Sequence, residues 1–207
     1  AMFKVFTMWD DELESTKGEK SAKTFWHAIQ AVQKFVEIRH TALAAYDLAY
    51  FNGKPAVELG FSIDFGSGFK LRGKLDALMI HRTKREFLPL ECKTTGSYIV
   101  DEAMYKNSAQ GIGYGVVIDR VAHEMREIVN DYHVFYPVYK TRAAEWTGFF
   151  FHKSNTQRAL WIQQILLDVA AIQQYGELNY FPTRGESCFS FNRPCPHFGT
   201  CTMSNYL

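Results

Sequence analysis

The sequence has no apolar run long enough to cross a bilayer, no internal repeat and no low-complexity tract. Those absences set aside a helical membrane protein, a solenoid and a disordered linker as the class of the whole chain. No signal-peptide pattern is seen either. There is almost no excess of one charge: 23 Lys and Arg face 22 Asp and Glu, a formal net charge of +1. A nucleic-acid surface on this chain has to be local. Cysteine is scarce and unevenly placed. Cys92 stands apart, and the other three of the four (Cys188, Cys195, Cys201) fall in the last twenty residues. Scattered pairs would indicate disulfides, whereas a terminal cluster indicates metal. What is present is the material of an ordinary globular domain, 207 residues of which 47% are hydrophobic. Ala1-Met2 reads as a cloning remnant before a strand-like FKVFTMW, so the natural protein is expected to begin further upstream.

The densest chemistry lies in residues 73–93, GKLDALMIHRTKREFLPLECK, which read as two strands joined by a polar turn from His81 to Glu86. Strict alternation puts Lys70, Arg72, Lys74 and Asp76 on one face of the first strand, with Leu71, Gly73, Leu75 and Ala77 on the other. In the second strand Glu91 and Lys93 oppose Leu88, Leu90 and Cys92. If the apolar faces pair, Asp76, Glu91 and Lys93 meet on the polar side. Two carboxylates and a lysine suit a hard divalent cation against a phosphate, because magnesium takes oxygen ligands and draws only one or two carboxylates from the protein. A solvated sheet face is the plain alternative.

Residues 19–51 read as helix, broken near Arg39–Thr41, with Phe25, Ile29, Val32, Phe35 and Val36 as one stripe and Leu43, Tyr46 and Tyr50 as a second. His27 sits beside the first stripe, as packing or as a ligand. Asn52-Gly53-Lys54-Pro55 turns the chain into a strand over 56–65. That strand carries Glu58, either an auxiliary acid or an ordinary exposed glutamate. Residues 102–129 read as helix despite Gly111, Gly113 and Gly115, which imply close packing; Gln110 and Tyr114, four apart, share a face. Strands are expected over 132–139 and 145–152, then an amphipathic helix over 154–175 capped by Ser154. Strands separated by helices predict an α/β fold around a mixed sheet.

In order, Gly73-x-x-Asp76, Glu91-x-Lys93-Thr94 and Gln110-x-x-x-Tyr114 resemble the PD-(D/E)xK nuclease superfamily, in its RecB-like branch. With the terminal cysteines, the resemblance narrows to the AddB nuclease domain and the CRISPR-adaptation exonucleases, and similar small nucleases are encoded by bacteriophages. It covers residues 56–201. It implies a restriction-endonuclease-like mixed sheet flanked by helices, as a single nuclease domain over 1–207: a helical part (1–55), a catalytic core (56–153), and a C-terminal helix with a cysteine tail (154–207). It further implies that Asp76, Glu91 and the backbone carbonyl of Cys92 bind Mg2+ or Mn2+, with Glu58 and, more distantly, His27 as further ligands. Lys93 would be the catalytic lysine, and Gln110 and Tyr114 would lie near the site and the DNA strand. Where the branch has a small residue four before the helix histidine, this chain has Lys23.

The implied activity is metal-dependent, exonuclease-type hydrolysis of DNA, single-stranded or with free ends, in a bacterial or phage-infected cytoplasm, with recombination, repair or phage-replication partners and no membrane. The alternative is an inactive DNA- or partner-binding module of the same fold. Lys70, Arg72, Lys74, Arg82 and Arg85 are candidates for backbone contacts, and Tyr98 and Tyr105 for base stacking.

Cys188, Cys195 and Cys201 resemble the three C-terminal ligands of that family's [4Fe–4S] cluster, which needs a fourth. Cys92 is expected to be a buried apolar residue facing away from Glu91. His197 would complete a three-cysteine, one-histidine zinc site. Three reduced thiols without metal are the remaining reading.

Overall fold

The computed structural model describes residues 24–66, 68–125, 132–182, 188–190 and 193–200. The chain divides into two compact units, 1–162 and 163–207.

The first unit opens with helix α1 (Phe25–His40), capped by Thr24, whose Oγ1 accepts the His27 N–H. It ends where the Thr41 N–H reaches back to Glu37 O and Ile38 O, with Arg39 and His40 in the last turn against the negative helix end. The expected continuation of helix to residue 51 is not found. The chain turns over 41–45 and forms strands β1 (Tyr46–Leu48), β2 (Tyr50–Phe51) and β3 (Lys54–Pro55). Tertiary structure overrides the helical spacing here. Leu43 is buried with Met79, Leu88, Leu90 and Phe135, and Tyr46–Leu48 pair antiparallel with Met79–His81. The β2–β3 hairpin turns at Asn52 and Gly53, both at positive φ, as Asn-Gly permits.

Among the described residues the main sheet has seven strands. The long strand β5 (Lys70–His81) takes β4 (Val57–Asp64) and then β1 along one edge, and β6 (Phe87–Leu90) along the other, all antiparallel. Strands β6 and β7 (Lys93–Thr95) both run parallel to β8 (Tyr132–Lys140). Leu90 pairs with Phe135 and Lys93 with Val138, the same step on each side. They are therefore one lane, broken at Glu91–Cys92. Strand β9 (Glu145–Lys153) closes the other edge of β8. The fold is α/β, a mixed sheet flanked by helices.

One face of this sheet (Leu75, Leu78, Ile80, Phe87, Val134, Tyr136) packs against Val117, Ile118 and Val121 of helix α3 (Ala109–Met125), which follows the short α2 (Ala103–Lys106). The other face, with Met79, Leu88, Leu90 and Phe135, takes Phe35 and Ile38 of α1. Trp146 Nε1–H to Ala31 O (2.9 Å) and Lys34 Nζ to Ala144 O (2.6 Å) seat α1 on the start of β9. The glycines of α3 serve close packing, as their sequence positions implied. A Cβ on Gly115 would collide with Tyr132 Oη and Arg158 Cδ, and one on Gly113 would sit 2.9 Å from the Trp161 ring. Helix α4 (Asn155–Glu177) begins with reciprocal Ser154–Gln157 bonds, and its Arg158, 4% exposed, grips Asp119 of α3 through Nε and Nη2 at 3.0 and 3.1 Å.

The unit boundary falls inside α4. The second unit holds the rest of that helix and a small hairpin, β10 (Phe189–Ser190) and β11 (Arg193–Pro194). Among the described residues no helix is long and apolar enough to cross a membrane.

Candidate active site

The site forms where three neighbouring lanes lose their regularity together. On β5, Leu75, Leu78 and Ile80 face α3, while Ala77 and Met79 belong to the opposite cluster. The alternation therefore shifts by one residue at Asp76–Ala77, and Ala77 does not share a face with Leu75 as strict alternation requires. The neighbouring lane shifts at the same rung. Ala56 and Leu59, three apart, both pack on the α3 side, with Glu58 between them at φ +50°. Register holds on either side, Val57 opposite Ala77 and Leu59 opposite Leu75, so Glu58 stands across from Asp76. A left-handed backbone at a non-glycine residue costs about 1–2 kcal/mol and is typical of functional sites.

In the next lane the Glu91 N–H still donates to Phe135 O (3.0 Å), but the Cys92 N–H donates to Asp76 Oδ2 (2.8 Å). Cys92 is exposed rather than buried, because its backbone has left the ladder to serve Asp76. The break lets the Glu91 side chain turn under α3, where it is 4% exposed. Its Oε1 accepts from Lys93 Nζ (2.6 Å) and Gln110 Nε2 (2.8 Å), and its Oε2 from Tyr114 Oη (2.5 Å). Lys93 Nζ also donates to Gln110 Oε1 (2.9 Å), and Gln110 Nε2 reaches Tyr114 Oη (2.6 Å). Strand alternation put Asp76, Glu91 and Lys93 on the polar side of the sheet. The Glu91 carboxylate lies instead at the N-terminal end of the helix-covered face, with Lys93 at the rim.

Burial raises the Asp76 pKa; the Cys92 N–H opposes this, Glu91 and Glu58 add to it, and Lys93 offsets it in part. Tyr114 is raised well above the ordinary phenol range, first by burial and then by its bond to the Glu91 carboxylate, so it stays a donor.

The chemistry of the donor set suits a divalent cation. Asp76, Glu91 and the carbonyl of Cys92 are hard oxygen donors, the few that magnesium takes from a protein while water and phosphate complete its shell. That fits an ion held jointly with substrate. It does not fit an all-protein cage, and among the described residues no group of three or more His, Cys, Asp or Glu side chains forms one.

The remaining candidates are dispersed. Lys70, Arg72 and Lys74 are exposed on β5, pointing away from α3. Lys70 lies 3.6 Å from Asp64, and Lys74 lies 3.9 Å from Glu58 at the edge of the site. Arg82 and Arg85 lie in the β5–β6 turn, Arg82 against Asp47 at 3.1 Å. The His27 ring contacts its own cap, Nδ1 to Thr24 Oγ1 at 2.7 Å, and joins no metal-holding group among the described residues. Tyr98 is 63% exposed, whereas Tyr105 is half-buried, packed against Tyr136 and Phe149 at the margin of the core. In the second unit, Cys188 and Cys195 face each other at the open end of the β10–β11 hairpin, joined by Cys195 N–H to Cys188 O (2.7 Å). His197 lies in the turn that follows, and Cys201 is outside the described residues.

One participant escaped sequence reasoning. The Phe61 ring lies over Gly73, where a Cβ would approach to 2.6 Å, and meets Tyr114 edge-on with 6.5 Å between ring centres. A glycine inside a strand pattern is the sign of such a close approach.

No protein-family model matches the chain, and no curated protein matches it significantly. Among solved structures, one described as "Crystal structure of SSO0001" is similar at 13% identity and a TM-score of 0.40, over 86% of this chain and 69% of that one.

Proposed function

We propose that the protein is a metal-dependent nuclease that hydrolyses phosphodiester bonds of DNA, single-stranded or with free ends, on a restriction-endonuclease-like sheet. One observation carries this reading: Glu91, Lys93, Gln110 and Tyr114 close into a single hydrogen-bonded cluster, with Asp76 tied to it through the Cys92 amide. A solvated sheet face has no need to bury a carboxylate under three donors from two elements. Asp76, Glu91 and the Cys92 carbonyl would hold Mg2+ or Mn2+, with Glu58 as a further acid across the rung. Such an ion supplies Lewis acidity toward the phosphate and the attacking water.

The chain's own residues do the rest. Tyr114 and Gln110 fix the rotamer of Glu91, so that its carboxylate is oriented before substrate arrives. The Lys93 ammonium, about one-third exposed, would donate to a phosphate oxygen or the incoming water and offset charge as it builds. Nearby Lys74 adds a positive charge for the nucleic-acid backbone. Cys188, Cys195 and Cys201 would be ligands of a [4Fe–4S] cluster or of zinc in the second unit. Two cysteines opposite in register across a hairpin suit either, and the cluster alone would colour the protein.

End-labelled single-stranded and duplex DNA incubated with Mn2+, Mg2+ or EDTA tests the proposal. Products are expected with either metal and none with EDTA; bound but intact DNA under all three conditions would reduce the protein to a binding module.

A further inference from the structure

Beside the carboxylate–lysine cluster, a groove of about 350 Å3 opens between β4 and α3. Its floor and walls are Leu59, Phe61 and Ile63 from the strand and Val117 and Val121 from the helix, with Phe51 at one end. Both walls grow out of the site. Leu59 follows Glu58 directly, and Val117 and Val121 lie one and two turns beyond Tyr114 along α3. The Phe61 ring, edge-on to Tyr114, joins the two spaces. Among the described residues β4 pairs with β5 alone, and its Gly60 and Ser62 also line the groove. Arg120 stands on the rim, its side chain 73% exposed and 2.8 Å from Glu124.

We infer that this groove is a nucleobase subsite, receiving one base of the strand whose phosphodiester lies at Asp76 and Glu91; the inference rests on the nuclease reading. An apolar slot with two phenyl rings offers stacking to any base. Gly60 and Ser62 leave room beside the slot without encoding a sequence, and Arg120 is placed for a neighbouring phosphate. The volume falls within the range of small-ligand sites. An apolar groove beside a strand also suits an extended peptide. Continuity with the carboxylates favours the base, because a strand held at Asp76 must direct its next nucleotide somewhere, and this slot begins at Leu59, next to the Glu58 that stands across from Asp76.

The test is an abasic scan. Single-stranded DNA oligonucleotides carrying one abasic nucleotide at successive positions are bound in EDTA, with anisotropy as the readout, and cut in Mn2+. The wild type should lose about 10-fold in affinity at one position beside the cut bond, and little elsewhere. Ile63→Trp, which fills the slot, and Phe51→Ala, which removes its end wall, should bind the intact strand more weakly and lose that position-specific penalty. Where Ile63→Trp does not fold, Phe51→Ala carries the comparison. Cutting with a flat abasic profile would overturn the subsite and leave the nuclease standing, as expected if a peptide segment covers the slot. A position-specific penalty without any cutting would keep the subsite and refute the nuclease. A penalty that persists in both variants would place the base elsewhere and overturn the inference.

Discussion

At the scale of residues, the cluster is built so that no charge in it stands alone. Glu91 is nearly inaccessible, yet both its oxygens accept hydrogen bonds, two of them from neutral groups that cannot lose their protons near neutral pH. Asp76 has its pKa raised, first by burial and then by Glu91 and Glu58, so the form that binds a cation is reached at a higher pH than for an ordinary aspartate. The pH profile of kcat/KM should therefore fall as pH drops through that raised value. The same shift has a consequence for folding. A carboxyl whose folded pKa lies above its unfolded one destabilises the native state at pH above the folded value, and that penalty is relieved as pH falls through it. Asp76→Asn should abolish cutting and, without metal, melt at a higher temperature than wild type at neutral pH; a lower melting temperature would contradict the assignment.

At the scale of elements, the site exists because two regular patterns fail at one level of the sheet. Sequence alternation identified the strands, and the spacing of Gln110 and Tyr114 identified the helix face, so the members of the cluster were legible. Their burial was not. Period-2 reasoning assigns Ala77 to the face of Leu75, because nothing local signals that β4 and β5 both shift at Glu58 and Asp76. It likewise assigns Cys92 to a buried face, because the break in the lane is made by the Asp76 carboxylate capturing an amide from the adjacent strand. The helix expected over Leu43–Tyr50 failed for the same kind of reason, with edge pairing to β5 overriding a helical stripe. The packing of α3 was foreseeable from its glycines, and it yields a test. Gly115→Ala forces a methyl group into Tyr132 and Arg158, and should cost about 2–3 kcal/mol in a urea titration while leaving the Glu91 contacts of Gln110 and Tyr114 in place. A cost below about 0.5 kcal/mol would show that α3 does not pack so closely on β8.

At the scale of the whole molecule, a net charge of +1 leaves nucleic-acid affinity to local cations, and β5 presents Lys70, Arg72 and Lys74 along one exposed row. Replacing all three by alanine should weaken single-stranded DNA binding regardless of sequence. It should also flatten the salt dependence, lowering the slope of log K against log salt by about 2, since each lost phosphate contact removes about 0.7. An unchanged slope would move the path of the strand elsewhere. The terminal cysteines make an independent prediction. If they hold a cluster, Cys195→Ser should lose iron, visible absorbance and thermal stability together; a colourless wild type with bound zinc would select the other metal.

The measurement closest to the central claim is single-turnover cleavage of end-labelled DNA in Mn2+ by wild type and Lys93→Ala, with binding of the same DNA followed in parallel. Lys93 touches both Glu91 and Gln110 and stands at the rim of the cluster, so its loss should lower the rate by at least about 100-fold, the scale of one preorganised transition-state donor. DNA affinity and the circular dichroism spectrum should be nearly unchanged. Cleavage by Lys93→Ala at the wild-type rate would contradict the account, because the cluster would then be a structural knot and the chemistry would have to lie elsewhere.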